Sequence, residues 1–445
     1  MIAAHLLPFW GYKTAGQCLC PLFVCPDLAP TNAVPKDLSM IIASLLDTDL
    51  YKFTMQQVVF HHFPAATAEY TFQCRSQGID LRPYADEISA EIDHFCRLAL
   101  SEDELMFLGG IRYLHPSYVD SLRRFRLDRA NVQITTDGAF GLRISGNWYQ
   151  TILFEVPLLA IINEVYFRNM HPWSEKLEAE GLRRLREKCR QVRDANLPEF
   201  SLVEFGTRRR YGAAWQTQAL DTLMLEVPGF MGGTSNVGQA RRLSLPPFGT
   251  MAHEFLQAFQ AFAPLPDFQK QAFETWMQEY RGDLGIALSD IVGMNAFFRD
   301  FDRLFSKAYD GARHDSGDPV EWGERLIAHY QAFGIDPRAK FAVFSDGLDM
   351  PRALALSRHF AGRIRTSFGV GTNLTNDLGF PALNIVLKMT RCCGQPVAKL
   401  SDSEGKLMAS DPVFTSYLRQ TFQIPAPIAS AAPSAPKKPG GKAAL

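Results

Sequence analysis

The sequence predicts an α/β protein built on a parallel sheet, and two observations predict it. From about residue 200 a rhythm recurs: a short apolar run, a polar or glycine-rich turn, then a helical pattern. Most of these turns are roughly 24 to 40 residues apart, the length of a strand, turn, helix and return. They are EFGTRRR at 204, GGTSN at 232, GTMAHE at 249, LSD at 288, RHDSGDP at 313, FSDG at 344 and FGVGTN at 368. Only the step from 232 to 249 is too short for a complete unit. The second observation is that the chemically dense segments follow the apolar runs. That arrangement belongs to an α/β barrel with its site at the carboxyl rim of the strands. An open doubly wound sheet also carries such a rhythm but uses fewer of the turns.

A chain of 445 residues is long enough for two domains, or for one barrel and a smaller unit. Lys plus Arg (46) nearly equals Asp plus Glu (47), so no basic field argues for nucleic acid or an anionic membrane. The hydrophobic content of 47% comes without an uncharged apolar run of about 18 residues, which excludes a membrane-embedded class. A small-molecule partner is expected. Eight cysteines are sparse for this length and fit a reducing, cytoplasmic compartment. Cys18, Cys20 and Cys25 lack a fourth zinc ligand at a plausible spacing, the nearest histidine being His5.

In chain order, residues 1–39 mix Pro, Gly, Cys and aromatics without periodicity, and are expected to be a leader or disordered extension ahead of a natural start at Met40. In LLDTDLYKFTM, Asp47 or Asp49 reads as a helix N-cap with Tyr51 in the first turns. TAEYTFQCR alternates as a strand does, and residues 84–107 read as one amphipathic helix with Ile88, Ile92, Phe95 and Leu98 on a face. The basic run at 182–193 reads as a solvated helix face. Residues 425–445, rich in Pro, Ala and Lys, are expected to be a disordered tail.

The turns carry the chemistry. EFGTRRR offers Glu204, an aromatic ring at Phe205 and the guanidinium groups of Arg208 to Arg210, whose planar forks suit carboxylates and phosphates. GGTSN, with Ser235, and FGVGTN, with Gly369, Gly371 and Thr372, can bring backbone N–H groups against phosphate oxygens, although neither matches a P-loop or a dinucleotide fingerprint. In RHDSGDP, Asp318 and Pro319 suit the start of a helix, which leaves Arg313 and Asp315 for a ligand. Asp290, Asp300 and Asp346 are further acids near strand ends, and Gly347 follows the last of them in a tight turn. No zinc spacing occurs among these acids, so no protein-held metal is expected and any metal would be Mg²⁺ brought by substrate phosphates. His253 stands where a Gly-Thr turn meets an apolar helical run, with Glu254 beside it. These residues alone leave it open between a polar cap and a reactive group.

Taken in order, DTDLYKFTM, EFGTRRR, GTSNV, GTMAHEF, RHDSGDP, FSDG, FGVGTN and PVAKLSD resemble the nicotinate phosphoribosyltransferase family over about residues 40 to 420. The resemblance implies a type II phosphoribosyltransferase, an irregular TIM-like α/β barrel with an additional α/β domain. In domain terms it implies an N-terminal α/β part at 40–150, a catalytic barrel at 151–385 and C-terminal strands at 386–424 returning to the first part. It implies a homodimer with shared active sites and an ATP-dependent ligase of NAD salvage. The reaction would join nicotinate to 5-phosphoribosyl 1-pyrophosphate, with ATP as co-substrate. The acidic pair and Thr-Gly-Gly-Thr of type I phosphoribosyltransferases are absent from the sequence.

Residue by residue, the resemblance places Phe205 on one face of the pyridine and Tyr51, from the neighbouring subunit, on the other. It assigns Arg208 and Arg313 to the ring and phosphates, Asp315 to the ribose, and Gly347, Gly369 and Gly371 to the 5′-phosphate. Arg75, Lys388 and Lys399 become pyrophosphate contacts. Nicotinamide-using relatives carry an acid where this chain has Ser235, which favours the acid substrate nicotinate over the amide. His253 is implied to accept a phosphoryl group from ATP, with Glu254 orienting it. The alternatives are a nicotinamide or quinolinate phosphoribosyltransferase, and a catalytically silent nucleotide sensor of the same fold.

Overall fold

Residues 40–400 and 411–424 are described by a computed structural model. Residues 1–39, with the three N-terminal cysteines, and the tail at 425–445 lie outside the described residues. The strands are β1 (Thr67–Cys74), β2 (Val132–Thr135), β3 (Gly141–Asn147), β4 (Leu202–Glu204), β5 (Met231–Thr234), β6 (Ile286–Leu288), β7 (Gly311–His314), β8 (Phe341–Phe344), β9 (Arg365–Val370), β10 (Ile385–Cys392) and β11 (Gln395–Pro396). They form a five-stranded sheet in the order β11-β10-β1-β3-β2 and a six-stranded sheet in the order β5-β4-β9-β8-β7-β6. Every pairing in the first is antiparallel, and every pairing in the second is parallel.

The antiparallel sheet draws on both ends of the chain. Tyr70 in β1 faces Ile144 on one side and Met389 on the other. β4, β6 and β8 are buried at every position, as strands must be when helices cover both faces of a parallel sheet. The uniform apolar runs seen in the sequence follow from that.

Strand pairing does not close the parallel sheet: β5 and β6 are its edges among the described residues. The segment 247–250 reaches across part of the gap. Phe248 N–H donates to Thr234 O at 2.8 Å, and Thr250 Oγ1 donates to Ile286 O at 3.0 Å. The expected barrel is thus met as a parallel sheet with an irregular bridge. The short step from 232 to 249 has no room for a strand, so GTMAHE follows this bridge rather than a strand.

Other local expectations change for local reasons. Gly232 and Gly233 belong to β5, and Arg313 and His314 to β7, so these apolar-to-turn boundaries come later than the composition suggested. The single helix at 84–107 is two helices, Ala85–Arg97 and Glu102–Gly109. Leu98 is extended, and Ser101 with Glu104 forms a capping box that starts the second helix afresh. Asp300 ends the helix Met294–Asp300 and pairs with Arg299 and Gln269, away from any strand end. The basic run does lie on the helix Glu175–Ala195, where Arg183 and Arg190 pair with Glu180 and Glu187 at the surface. Trp148–Met170 is long and apolar enough to cross a membrane, but 94% of its apolar window is buried inside the protein, as in a core helix.

One ion pair ties the two sheets' regions together. Arg210, with a side chain wholly excluded from solvent, holds Asp47 through both guanidinium nitrogens at 2.7 Å. Gln216 accepts a third bond from Arg210 at 3.0 Å, and Asn236 donates to Asp47 at 2.7 Å. Arg210 therefore faces inward, whereas Arg208 and Arg209 line the cavity described below. Replacing it by Met strands Asp47 and its partners, and about 3–5 kcal/mol of unfolding free energy is expected to be lost in urea denaturation. A loss under about 1 kcal/mol would show that the pair is dispensable.

Candidate active site

A cavity of about 540 Å³ opens where the carboxyl ends of the parallel strands meet the face of β10, within the range of small-molecule sites. It gathers most of the residues singled out in the sequence. Tyr51, Phe205, Arg208 and Ser235 line it, with Arg75, Lys388 and Lys399 from the antiparallel side and the strand returning from it. His253, Glu254, Arg313, Asp315, Asp346, Gly347, Gly369, Gly371 and Thr372 complete the predicted set. Asp290 stands just behind the lining, bonded to His253.

His253 is the first residue of the helix His253–Phe262, and Ala252 before it provides no side-chain cap. The first-turn N–H groups and the helix dipole there disfavour a protonated ring and suit an incoming anion. Asp290 Oδ1 lies 2.7 Å from the ring Nε2, Lys399 Nζ lies 2.8 Å from the same atom, and Asp315 Oδ2 lies at 3.5 Å. Lys399 also donates to Asp290 Oδ2 at 2.6 Å, and Ser316 Oγ donates to the same carboxylate at 2.7 Å. One nitrogen cannot donate to Asp290 and accept from Lys399 at once. Burial opposes the charge on Asp290, but His253 and Lys399 hold its pKa well below the ordinary carboxylate value. An ionised carboxylate only accepts, and Lys399 already donates to Asp290 Oδ2 at 2.6 Å, so we assign the ring proton to Nε2, directed at Asp290 Oδ1. Nδ1 then keeps its lone pair and has no partner among the described residues. Burial, reinforced by the Lys399 charge, brings the His253 pKa down to about 4, so the ring is neutral at pH 7.

Glu254 does not orient His253. Its carboxylate turns away to Lys52, the Tyr70 hydroxyl and the Trp148 indole N–H. Successive helical residues point about 100° apart, so adjacency in sequence was a poor guide to contact. Asp290 holds the position expected of Glu254. His253, Asp290 and Asp315 place their ligand atoms within 4.8 Å of one another and could hold a cation. The Lys399 ammonium already bonds Asp290 and stands 2.8 Å from the His253 ring.

Also in the lining, Phe205 packs against the backbone of Gly369, where a Cβ would lie 2.3 Å from the ring. Gly369 therefore makes room for the aromatic ring, while Gly347, at φ 55°, is a turn glycine. The chain's own Tyr51 lines the same cavity as Phe205, so both rings are present without a neighbouring subunit. Asp49 occupies the N-cap position expected of it but makes no capping bond. Its carboxylate instead accepts the Ser235 hydroxyl at 2.7 Å. Burial raises the Asp49 pKa against the pull of Arg208. A carboxyl group is therefore present beside Ser235, which the sequence comparison at that position alone did not anticipate. Glu155, 3.5 Å from Arg208, is a second missed acid. Its signal was a lone carboxylate inside the apolar run LFEVPLLAII, where burial demands a partner. Arg209, Tyr70, Asn373 and Asn376 also line the cavity.

Interleaved cations and acids around one cavity, with a neutral histidine at a helix start, define a class: an α/β protein whose cavity suits a phosphorylated, anionic small molecule. The comparisons then narrow it. The nicotinate phosphoribosyltransferase (NAPRTase) family model matches residues 200–426, and the N-terminal domain model of the same family matches residues 46–163. The nicotinate phosphoribosyltransferase of Bordetella petrii is 54% identical over 87% of this chain and 100% of its own length. That of Xanthomonas euvesicatoria is 55% identical, covering 87% and 99% respectively. Among solved structures, nicotinate phosphoribosyltransferase from Vibrio cholerae superposes with a TM-score of 0.84 at 38% identity, covering 87% of this chain and 95% of that one. The chain belongs to the nicotinate phosphoribosyltransferase family.

Lys388 on β10 supplies a pH test of the cationic wall. Burial, with the nearby Lys399 charge, lowers its pKa to about 8. Lys388 is thus a cation at pH 7 and neutral well above pH 8. Affinity for inorganic pyrophosphate, measured by calorimetry, is expected to fall by about tenfold or more between pH 7 and pH 9, the scale of one charge-assisted hydrogen bond. Lys388→Met should remove most of that fall, and an unchanged pH slope in the variant would remove Lys388 from the anion wall.

Proposed function

We propose that this protein is a nicotinate phosphoribosyltransferase that makes nicotinate mononucleotide from nicotinate and 5-phosphoribosyl 1-pyrophosphate in the cytoplasm, coupled to ATP through a phosphohistidine. The observation that carries the coupling is His253: a neutral imidazole at a helix start, with Nε2 committed to Asp290 and Nδ1 unpaired. Such a nitrogen is a competent nucleophile toward the γ-phosphorus of ATP. Nδ1 forms the new N–P bond as ADP leaves. Hydrolysis of that bond returns His253 and releases phosphate. The first-turn N–H groups of the helix suit the phosphoryl oxygens.

For the ribosyl transfer, Phe205 and Tyr51 bracket a flat pyridine, and Arg208 offers a fork to its carboxylate. Stacking of this kind turns the ring nitrogen edge-on toward ribose C1, where the departure of pyrophosphate leaves positive character. Arg75, Lys388 and Lys399 stabilise the leaving anion. No protein nucleophile is needed at C1. The carboxylate oxygens of Asp315 and Asp346 in the lining are of the type that suits Mg²⁺, and would hold it as it arrives with substrate phosphates, offsetting their charge. The resemblance also supports a homodimer, in which the chain's own Tyr51 fills the place expected of its neighbour's.

Asp49 favours one second reading, a nicotinamide phosphoribosyltransferase, because a carboxyl one hydrogen bond from Ser235 can accept from an amide. Arg208 beside it opposes that reading, since a cation pairs better with nicotinate. A single assay separates them: nicotinate, nicotinamide or quinolinate is supplied with phosphoribosyl pyrophosphate, with and without ATP, and mononucleotide and ADP are followed. Nicotinate is expected to be the substrate used, with ADP formed alongside product. In His253→Ala, substrate-dependent ADP formation should fall to background, a loss of more than about three orders of magnitude on the scale of losing a nucleophile, while slow ATP-free synthesis persists. A variant that kept full ATP coupling would exclude the phosphohistidine.

A further inference from the structure

Behind the cavity wall lies a buried lysine that no step above uses. Lys52, in the first turn of the helix Leu50–His62, has a side chain wholly excluded from solvent. Its ammonium bonds Glu155 Oε2 at 2.6 Å and also Glu254 Oε2, and lies 5.6 Å from the centre of the Tyr51 ring. Burial opposes its charge, yet the two carboxylates together hold its pKa above the ordinary lysine value. Lys52 is therefore a cation at any working pH.

Each of its two partners meets a different set of residues at the cavity. Glu155 Oε1 faces Arg208 Nη1 at 3.5 Å. Glu254 Oε1 accepts from the Trp148 indole at 2.7 Å and from the Tyr70 hydroxyl, and its backbone is the second residue of the helix that His253 begins. Lys52 thus joins the start of the histidine's helix to Arg208 and Tyr51, the residues assigned above to the pyridine. One ammonium shared by two carboxylates leaves a net negative charge, which Arg208 offsets. The position of Arg208 therefore depends on how Glu155 is held, and Glu155 shares its cation with Glu254.

Stability alone does not account for this arrangement. A buried ion cluster gains little over apolar residues of the same volume, because desolvation cancels most of the Coulomb energy. Phosphorylation of His253 adds negative charge at the start of the helix whose second residue is Glu254; the Glu254 carboxylate turns away from the ring to Lys52, so the added charge acts on the shared cation through the field across the helix start and not by contact.

We propose that Lys52 is a positioning residue of the coupled reaction: by holding Glu254 and Glu155 together, it passes the phosphorylation state of His253 to Arg208 and Tyr51. This rests on the phosphohistidine reading above. The residue itself touches neither substrate.

The experiment measures kcat and KM for nicotinate with and without ATP, together with acid-labile transfer of the γ-phosphate of ATP to the protein. The parent, Lys52→Met, Lys52→Arg and Trp148→Phe are compared. In the parent, ATP is expected to lower KM within the ~5- to 150-fold range usual for coupled sites. In Lys52→Met that factor should shrink to about twofold or less, with phosphoryl labelling and ATP-free kcat near parental levels, and Lys52→Arg should restore much of it. Trp148→Phe, which removes one donor from Glu254 and leaves the charges intact, covers the case in which Lys52→Met does not fold. It should give an intermediate factor. Full parental response in Lys52→Met, or in Trp148→Phe where the former fails to fold, overturns the proposal. So does a parent that is labelled on His253 but whose KM ignores ATP, an outcome that leaves the phosphohistidine standing. A parent that takes no label overturns the phosphohistidine reading, and this proposal with it.

Discussion

Two buried charges share one imidazole. Asp290 and Lys399 both reach Nε2 of His253, and they also bond each other. Neither charge would be tolerable there alone, since an unpaired buried ion costs several kcal/mol. Together they nearly cancel, and what remains is a neutral ring whose tautomer is set by a carboxylate that can only accept. The chemistry proposed for this protein depends on that balance. Removing Asp290 frees the proton to move between the nitrogens, and removing Lys399 leaves the carboxylate with only the His253 ring and the Ser316 hydroxyl, and no cation.

The architecture is what makes the contact attainable. Asp290 follows β6 in the parallel sheet, His253 begins a helix after the irregular bridge at 247–250, and Lys399 follows β11 in the antiparallel sheet. The two sheets must therefore meet at a fixed distance. Arg210 with Asp47, and Lys52 with Glu155 and Glu254, are buried pairs that cross between the same regions. Such pairs add little net stability, but each has few acceptable geometries. A site assembled from sequence-distant pieces needs that selectivity, because a shift of about 1 Å can cost 10²-fold in rate.

Much of this was legible in the sequence. The spacing of turns gave a parallel α/β sheet, Asp318 caps the helix Pro319–Ala332 as its composition implied, and the motif order identified the family. What stayed hidden was direction. Arg208 and Arg210 are two residues apart, yet one lines the cavity and the other is a buried clamp. Glu254 was paired with its neighbour His253, although helical geometry turns it to Lys52. Asp49 reads as a cap by position but spends its carboxylate on Ser235. Each of these errors replaces a three-dimensional partner with a sequence neighbour. The unclosed sheet was foreshadowed by the short 232–249 step, since too few residues lay between the turns for a strand and a helix.

The central claim is that His253 is held neutral, with its proton on Nε2 and Nδ1 open to phosphoryl transfer. ¹⁵N spectra of histidine-labelled protein, with His253 assigned by comparison with His253→Gln, read this directly. Between pH 5 and pH 8 the account predicts one neutral tautomer, protonated at Nε2, with no titration until the pH approaches about 4. A ring that titrates near 6.5, or one that carries its proton on Nδ1, would contradict it.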